Sequence, residues 1–214
     1  MFKKLLLQLI KTRDLIDNLH FWQNPDIFNA PETYLDNNIT KERSAYLVSL
    51  FTKFFPNREI RILEIGSNVG RNLFYLYNRG YHNLTGVEIN KRAIELMSAH
   101  YPDCFKSSLI LNQPIENCIK NFDDKQFDVV FTMAVLEHIH PKSSWIFYEI
   151  QRITKNIITI EDEKSLSWRH FPRRYDRIFK YLEQIYYEDC SYIQGFNKGF
   201  MTRIFTNNFS FSEI

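Results

Sequence analysis

The stretch Ile62-Leu63-Glu64-Ile65-Gly66-Ser67-Asn68-Val69-Gly70-Arg71-Asn72 decides how this chain folds. Its first four residues read as a buried strand. Gly66 and Gly70 then mark a tight turn that opens directly into a helix. Such a junction leaves free backbone N–H groups and a carboxylate, Glu64, at the C-terminal end of a strand, which is where open α/β sheets bind nucleotide-like ligands. A second acid, Glu88, ends the next apolar run, Leu84-Thr85-Gly86-Val87-Glu88. A carboxylate in that place can accept hydrogen bonds from both hydroxyls of a ribose and repels a 2′-phosphate. A nucleoside cofactor is the first expectation. An NAD site is one candidate, because its ribose acid also lies about 20 residues beyond the glycines.

Outward from this turn, short β-branched runs alternate with helical patterns. Strands are expected at 60–65, 84–88, 106–111, 127–132 and 156–160, and helices at about 70–79, 91–100, 114–121 and 143–154. Strands alternating with helices mean βαβ units, right-handed crossovers and a parallel sheet. After a further helix at about 172–183 the pattern changes. Gln184 to Gln194 and Lys198 to Thr206, separated by Gly195-Phe196-Asn197, have hairpin spacing and predict antiparallel neighbours. An NAD-binding Rossmann domain repeats βαβ units there instead, and Gly66-x-x-x-Gly70 does not give Gly-x-Gly-x-x-Gly.

Ahead of the sheet, a helix is expected over about residues 3–19 and another over Lys41 to Phe54 with Thr40 as its N-cap. The irregular stretch between them, His20 to Asn38, holds Trp22, Phe28 and Tyr34. Residues 1–39 therefore read as a helical, aromatic cap on a domain spanning 40–214. His20, Phe21, Trp22 and Tyr34 are expected to form a lid over the cofactor.

The 214 residues suffice for one α/β core. A net charge of +2 lacks the basic excess of a nucleic-acid binder. The three cysteines, Cys104, Cys118 and Cys190, are scattered and odd in number, which speaks against a disulfide framework or a zinc site and fits a reducing cytosol. The N-terminal apolar run is short, is broken by Gln8 and lacks a cleavage site, so it reads as an amphipathic helix of a cytoplasmic protein with no transmembrane segment. A peripheral membrane helix is the alternative reading of that pattern.

Several motifs in register are similar to those of class I S-adenosylmethionine-dependent methyltransferases, over about residues 40–207. Glu64-Ile65-Gly66-Ser67-Asn68-Val69-Gly70 resembles that family's acidic-x-Gly-x-Gly-x-Gly signature, and Glu88 its ribose-binding acid. The run from Phe127 to His138 resembles the strand-four motif of its small-molecule members. The terminal hairpin matches strands six and seven. The resemblance implies a Rossmann-like α/β sheet of seven strands, mostly parallel with a C-terminal antiparallel hairpin, in the order 3-2-1-4-5-7-6, with helices on both faces. Asn68 departs from the pattern at the middle glycine. Asn is the non-glycine residue that best tolerates a left-handed backbone, so the turn survives. Pro114 stands where many relatives place an adenine-binding acid.

The cofactor implied is S-adenosyl-L-methionine. Glu64, Gly66, Ser67, Asn68, Gly70 and Asn72 would hold its methionine portion and approach the ribose, Glu88 would bind the ribose hydroxyls, Ile89 and Ile115 would sandwich adenine, and Thr132 and Met133 would line the methionyl side. His138 and His170 are the candidate general bases, since imidazole titrates near neutral pH. His140, Trp168, Arg169 and Arg173 are the candidate substrate-binding residues, because arginines and aromatics at a helix N-terminus can clamp a phosphate or carboxylate. Glu161-Asp162-Glu163 reads as a solvated charge run, and no metal is expected. The expected reaction is methylation of a small molecule, with a sugar or sugar-nucleotide acceptor as the leading class and O- or N-transfer both open. An NAD-dependent oxidoreductase and a non-catalytic methyltransferase-like binding protein are the alternatives.

Overall fold

The structure, a computed structural model, describes residues 14–207. Most of the helix expected over 3–19, including its amphipathic membrane-facing reading, lies outside the described residues. The part within them is α1 (Leu15–Gln23), opened by the Asp14 carboxylate, which accepts from the Asp17 N–H at 3.0 Å. α2 (Thr40–Phe54) follows. Its N-cap is Ile39 rather than Thr40, and the Asn37 side chain holds the turn ahead of it: Asn37 Oδ1 accepts from the N–H groups of Ile39 and Thr40, while the Thr40 hydroxyl turns back to the Leu35 carbonyl.

Seven strands then form one sheet: β1 (Ile62–Ile65), β2 (Leu84–Glu88), β3 (Leu109–Asn112), β4 (Phe127–Met133), β5 (Thr154–Asp162), β6 (Glu183–Asp189) and β7 (Phe200–Thr206), in the order 3-2-1-4-5-7-6. The first five pair in parallel, and β7 runs antiparallel between β5 and β6. This is the expected topology, and its closing antiparallel pair replaces the second set of βαβ units that a dinucleotide domain needs. The connecting helices are α3 (Arg71–Tyr77), α4 (Lys91–His100), α5 (Pro102–Ser107), α6 (Ile115–Cys118), α7 (Ile146–Ile153) and α8 (Tyr175–Ile178).

Because side chains alternate across a strand, each central strand feeds two cores. Ile62, Val129, Phe131, Ile158 and Ile160 pack with Leu47 and Phe51 of α2 and Leu73 and Leu76 of α3 on one face. Leu63, Ile65, Val130 and Ile157 pack with Ile119, Ile146, Ile150, Tyr175 and Phe179 on the other. Burial on both faces explains why these strands read as continuous apolar runs.

Three expected elements differ. The strand placed at 106–111 begins at Leu109, since Pro102 starts a helical turn that runs to Ser107. The helix expected over 172–183 is the single turn α8, because Arg174 remains extended before it and β6 begins at Glu183. The hairpin is present, but β6 stops at Asp189 and residues 190–199 form a longer connection. All three cysteines are free and buried, as their spacing suggested. Among the described residues no helix is long and apolar enough to cross a membrane.

Candidate active site

A cavity of about 360 Å³ opens at the C-terminal edge of the parallel strands, against β1, β2, β4 and the segment 18–34. Its two ends are built differently.

At one end the β1–α3 turn is held by strained backbone and by a carboxylate. Gly66 and Gly70 have φ of 73° and 69°, and Asn68 fills the left-handed region at 47°. A Cβ on Gly66 would lie 2.5 Å from Val135 Cγ2, and one on Gly70 would meet the Met97 side chain. Glycine is thus required twice over, by conformation and by space. The N–H groups of Gly66 and Ser67 both donate to the Val87 carbonyl, which ties the turn to β2. Glu88 closes the clamp: its two oxygens accept from the N–H groups of Asn68 and Asn90, each at 2.7 Å. Burial pushes the Glu88 carboxyl above its ordinary pKa, and those two N–H groups oppose the rise.

Glu64 is fully buried, and burial raises it to about 8. One oxygen accepts from Asn72 Nδ2 at 2.8 Å, and Asn72 Oδ1 accepts in turn from the Ser44 hydroxyl, which Arg71 also touches. The other oxygen, Ser67 Oγ and Asn68 Oδ1 are buried without partners. All three belong to residues that line the cavity. Orphaned buried polar atoms in a cavity wall are costly unless a ligand meets them. Three such atoms beside a ribose-type acid and a glycine cradle fit the polar groups of S-adenosylmethionine.

Of the residues expected to hold that cofactor, Glu64, Gly66, Ser67, Asn68, Asn72, Glu88, Ile89, Ile115 and Met133 line the cavity, together with Gln113, Pro114 and Glu116. Gly70 and Thr132 do not. Gly70 sits at the start of α3, where it shapes the turn, and Thr132 is wholly buried in β4. Arg43 of α2 also lines the cavity: its guanidinium donates to the Gly195 carbonyl and leaves Nε unpaired. No sequence pattern singled out Arg43, because only the packing of α2 against the 190–199 connection brings it there.

The other end gathers Glu137, His138 and His170. The Nδ1 atom of His138 lies 2.7 Å from the Arg169 carbonyl. A carbonyl only accepts, so Nδ1 carries the proton and Nε2 keeps its lone pair. Burial lowers this imidazole to about 3, so it stays neutral. His170 Nδ1 lies 2.7 Å from the Ser167 hydroxyl, and its pKa is also lowered, chiefly by burial. Glu137 precedes His138 in the strand-four motif yet was not among the expected site residues. Its Oε2 accepts from the Asp162 N–H, and burial plus the neighbouring Glu161 carboxylate push it well above the usual carboxylate range.

The acidic run at the end of β5 is not solvated, contrary to expectation. Glu161 is fully buried and accepts from the N–H groups of Val135 and Glu137; Asp162 accepts from those of Lys164 and Ser165; Glu163 pairs with Arg203 at 2.7 Å. Glu161 and Asp162 close β5 itself, and their carboxylates hold the turns after β4 and β5.

Two other candidates stand away from the cavity. His140 Nδ1 accepts from the Lys142 N–H and caps the turn at Pro141–Ser143. Arg173 donates to the carbonyls of Leu136, Phe171 and Ile139, and so braces the loop that carries His138. Trp168 also lies outside the wall, packed edge-on against Phe21 with ring centroids 4.9 Å apart. Arg169 is in the wall. With α8 reduced to one turn, no helix N-terminus clamps an anion here. The expected lid is partly met: Trp22 and Tyr34 line the cavity, Phe21 packs behind them, and His20 is exposed. Trp22 lies against His138, centroids 4.4 Å apart, so it closes the histidine end.

Comparison with known proteins agrees with this geometry. Residues 63–157 match a family model described as a methyltransferase domain. No curated protein sequence matches the chain. Among solved structures, the magnesium protoporphyrin IX methyltransferase ChlM from Synechocystis PCC 6803, determined with bound S-adenosylhomocysteine (SAH), is similar at a TM-score of 0.70 and 12% identity, covering 91% of this chain and 100% of that one. The PH0226 protein from Pyrococcus horikoshii OT3 gives 0.66 at 14% identity, with 82% and 98% covered. An S-adenosylmethionine-dependent methyltransferase from Mesorhizobium loti gives 0.58 at 8% identity, with 74% and 96% covered. At these identities the structures speak for the fold, and the matched domain speaks for the chemistry. A methyltransferase domain match beginning at Leu63, on a sheet that ends in an antiparallel pair and beside a cavity lined with unpaired buried polar atoms, identifies the chain as an S-adenosylmethionine-dependent methyltransferase with the class I fold.

Proposed function

We propose that the enzyme O-methylates a small, hydroxyl-rich acceptor, and that a sugar or sugar nucleotide is the class its cavity suits. The observation that carries this reading is at the histidine end. Trp22 Nε1 is a buried donor without a partner on a ring that packs against His138, and Asn18 Nδ2, in another residue of the wall, is a second. An aromatic face studded with a few unpaired hydrogen-bonding groups suits a ring bearing several hydroxyls. The net charge of +2 gives no footprint for a long polyanion.

When bound, S-adenosylmethionine supplies a methyl group already activated by its sulfonium. The chain's own task is to align and to exclude water, which can contribute several kcal/mol. Glu64, Gly66, Ser67, Asn68 and Asn72 hold the methionine portion, Arg43 receives its carboxylate, Glu88 binds the ribose, and Ile89 and Ile115 flank adenine, with Met133 on the methionyl side. Gly70 and Thr132 act through the shape of the turn and of β4. His138 Nε2 and His170 receive the acceptor hydroxyl, Arg169 contacts the acceptor, and residues 1–39 cap the 40–214 domain. Of that cap, residues 14–39 bring Trp22 and Tyr34 to the cavity.

The test is a screen of cell fractions with methyl-labelled cofactor. Label in small hydroxylated glycans or sugar nucleotides is expected. Label confined to RNA, lipid or tetrapyrrole fractions would sink the acceptor assignment and leave the methyltransferase standing.

A further inference from the structure

The proposed acceptor end holds a donor set that direct hydrogen bonding to a hydroxyl does not fully use. One ligand atom each from Glu137, His138 and His170 lie within 4.8 Å of one another. His138 Nε2 is 3.6 Å from Glu137 Oε1, and His170 Nε2 is 4.0 Å from the same oxygen. Ligands on a single ion at about 2.1 Å are separated by roughly 3–3.5 Å, so a small closure suffices.

Each of the three is oriented from behind. Glu137 Oε2 is held by the Asp162 N–H, which leaves Oε1 for the cavity. His138 Nδ1–H is held by the Arg169 carbonyl, and His170 Nδ1 by the Ser167 hydroxyl, which turns both Nε2 atoms toward Glu137. Anchoring the far nitrogen of each histidine in this way is what metal-ligating imidazoles need.

We propose that Glu137, His138 and His170 bind a divalent transition-metal ion that grips the reacting oxygen of the acceptor. Two imidazoles and one carboxylate select the Mn²⁺-to-Zn²⁺ series over Mg²⁺ or Ca²⁺ and leave coordination positions open. This inference departs from the metal-free expectation and rests on the acceptor reading above. The ion lowers the pKa of the bound hydroxyl. The released proton passes to solvent, and the electron pair left on oxygen forms the bond to the methyl carbon as the carbon–sulfur bond breaks with its pair onto sulfur.

The experiment titrates Co²⁺ into the full chain, untagged and stripped with chelator, reading the visible cobalt band and equilibrium dialysis, with SAH binding measured on the same sample. One Co²⁺ per chain is expected, resistant to excess Mg²⁺. Glu137→Gln and His170→Ala should each weaken it by about a hundredfold or more, and Ser167→Ala, which removes the hydroxyl that orients His170 and also accepts from the Arg169 and His170 N–H groups, by about tenfold. Absence of a band at millimolar Co²⁺, binding unchanged in all three variants, or a near-ultraviolet sulfur-to-cobalt band from Cys104, Cys118 or Cys190 overturns the site. SAH binding without cobalt removes the metal and spares the methyl-donor site. Cobalt binding without SAH keeps the metal and breaks the donor-site assignment.

Discussion

The two ends of the cavity solve different problems. The donor end, from Gly66 to Glu88, is made of backbone: positive-φ residues, N–H groups aimed at one carbonyl, and a carboxylate that clamps the turn. The histidine end is made of side chains from segments distant in sequence: Trp22, Glu137 to His138 and Arg169 to His170. Backbone geometry suits a ligand that never changes, while an assembly of side chains can be exchanged without disturbing the sheet. Damage at the donor end should therefore reach stability and cofactor affinity together, whereas damage at the histidine end should reach turnover alone.

The strongest test of that contrast is Gly66→Ala. The new methyl would sit 2.5 Å from Val135 Cγ2 with φ still near 73°. A left-handed non-glycine residue costs about 1–2 kcal/mol, and overpacking about 1–3 kcal/mol more. A loss of about 2–5 kcal/mol in urea unfolding, with SAH binding abolished or nearly so, is expected. A variant of unchanged stability would show that the turn is not rigid.

Glu64→Gln probes the same end through pH. The folded carboxyl titrates at about 8 against an ordinary 4.5, so between those values the folded state holds the extra proton. Stability tied to Glu64 is complete below about pH 4.5 and falls as pH rises toward 8, by at most about 1.4 kcal/mol per pH unit. Glu88, Glu137 and Glu161 slope the same way and Asp162 the opposite way, so the readout is the difference between proteins. The amide variant should gain on the parent by about 2 kcal/mol between pH 5 and 7. Parallel urea midpoints across that range would mean Glu64 is already ionised.

Glu88→Ala should weaken SAH binding by about 1–3 kcal/mol, roughly tenfold to a hundredfold, since it removes both a charged partner and the clamp on Asn68. Calorimetry on the folded variant reads this directly. An unchanged affinity would take Glu88 out of the ribose site.

The same contrast explains what could be read from the chain alone. Glu64, Gly66, Asn68, Gly70 and Glu88 lie within one βαβ unit, and the local rules of turns and strand ends fix their placement. Strand positions were legible because the β-branched runs and the closing pair carry their own periodicity, while the strand order came from the resemblance to a known family. Arg43 and Glu137 escaped because nothing near them in sequence marks them: one depends on helix packing, the other on which face of a loop meets Asp162. His140 and Arg173 misled for the converse reason. Their composition suits a site, but their hydrogen bonds go to neighbouring turns and carbonyls. The acids at 161–163 looked solvated because charge runs usually are, and burial there depends on Arg203 across the sheet and on the loop after β4.

The smallest expected effect isolates the histidine end. Trp22 touches no residue of the β1–α3 turn through an aromatic contact; its ring packs on His138 and on Phe21, and its indole N–H is unpaired. Trp22→Phe keeps most of the apolar face and removes the donor, while Trp22→Ala removes both. If the indole N–H meets an acceptor hydroxyl, each variant should lose about 1 kcal/mol in kcat/KM, roughly fivefold, from the missing hydrogen bond, with a further loss for alanine as water reaches the histidines. SAH affinity should stay within about twofold, because Trp22 packs on Phe21 and His138 and shares neither with the Glu88 clamp, and sites without shared partners add independently. Equal losses of SAH binding and turnover would instead make residues 14–39 a lid over the donor, and the two ends of the cavity a single cooperative unit.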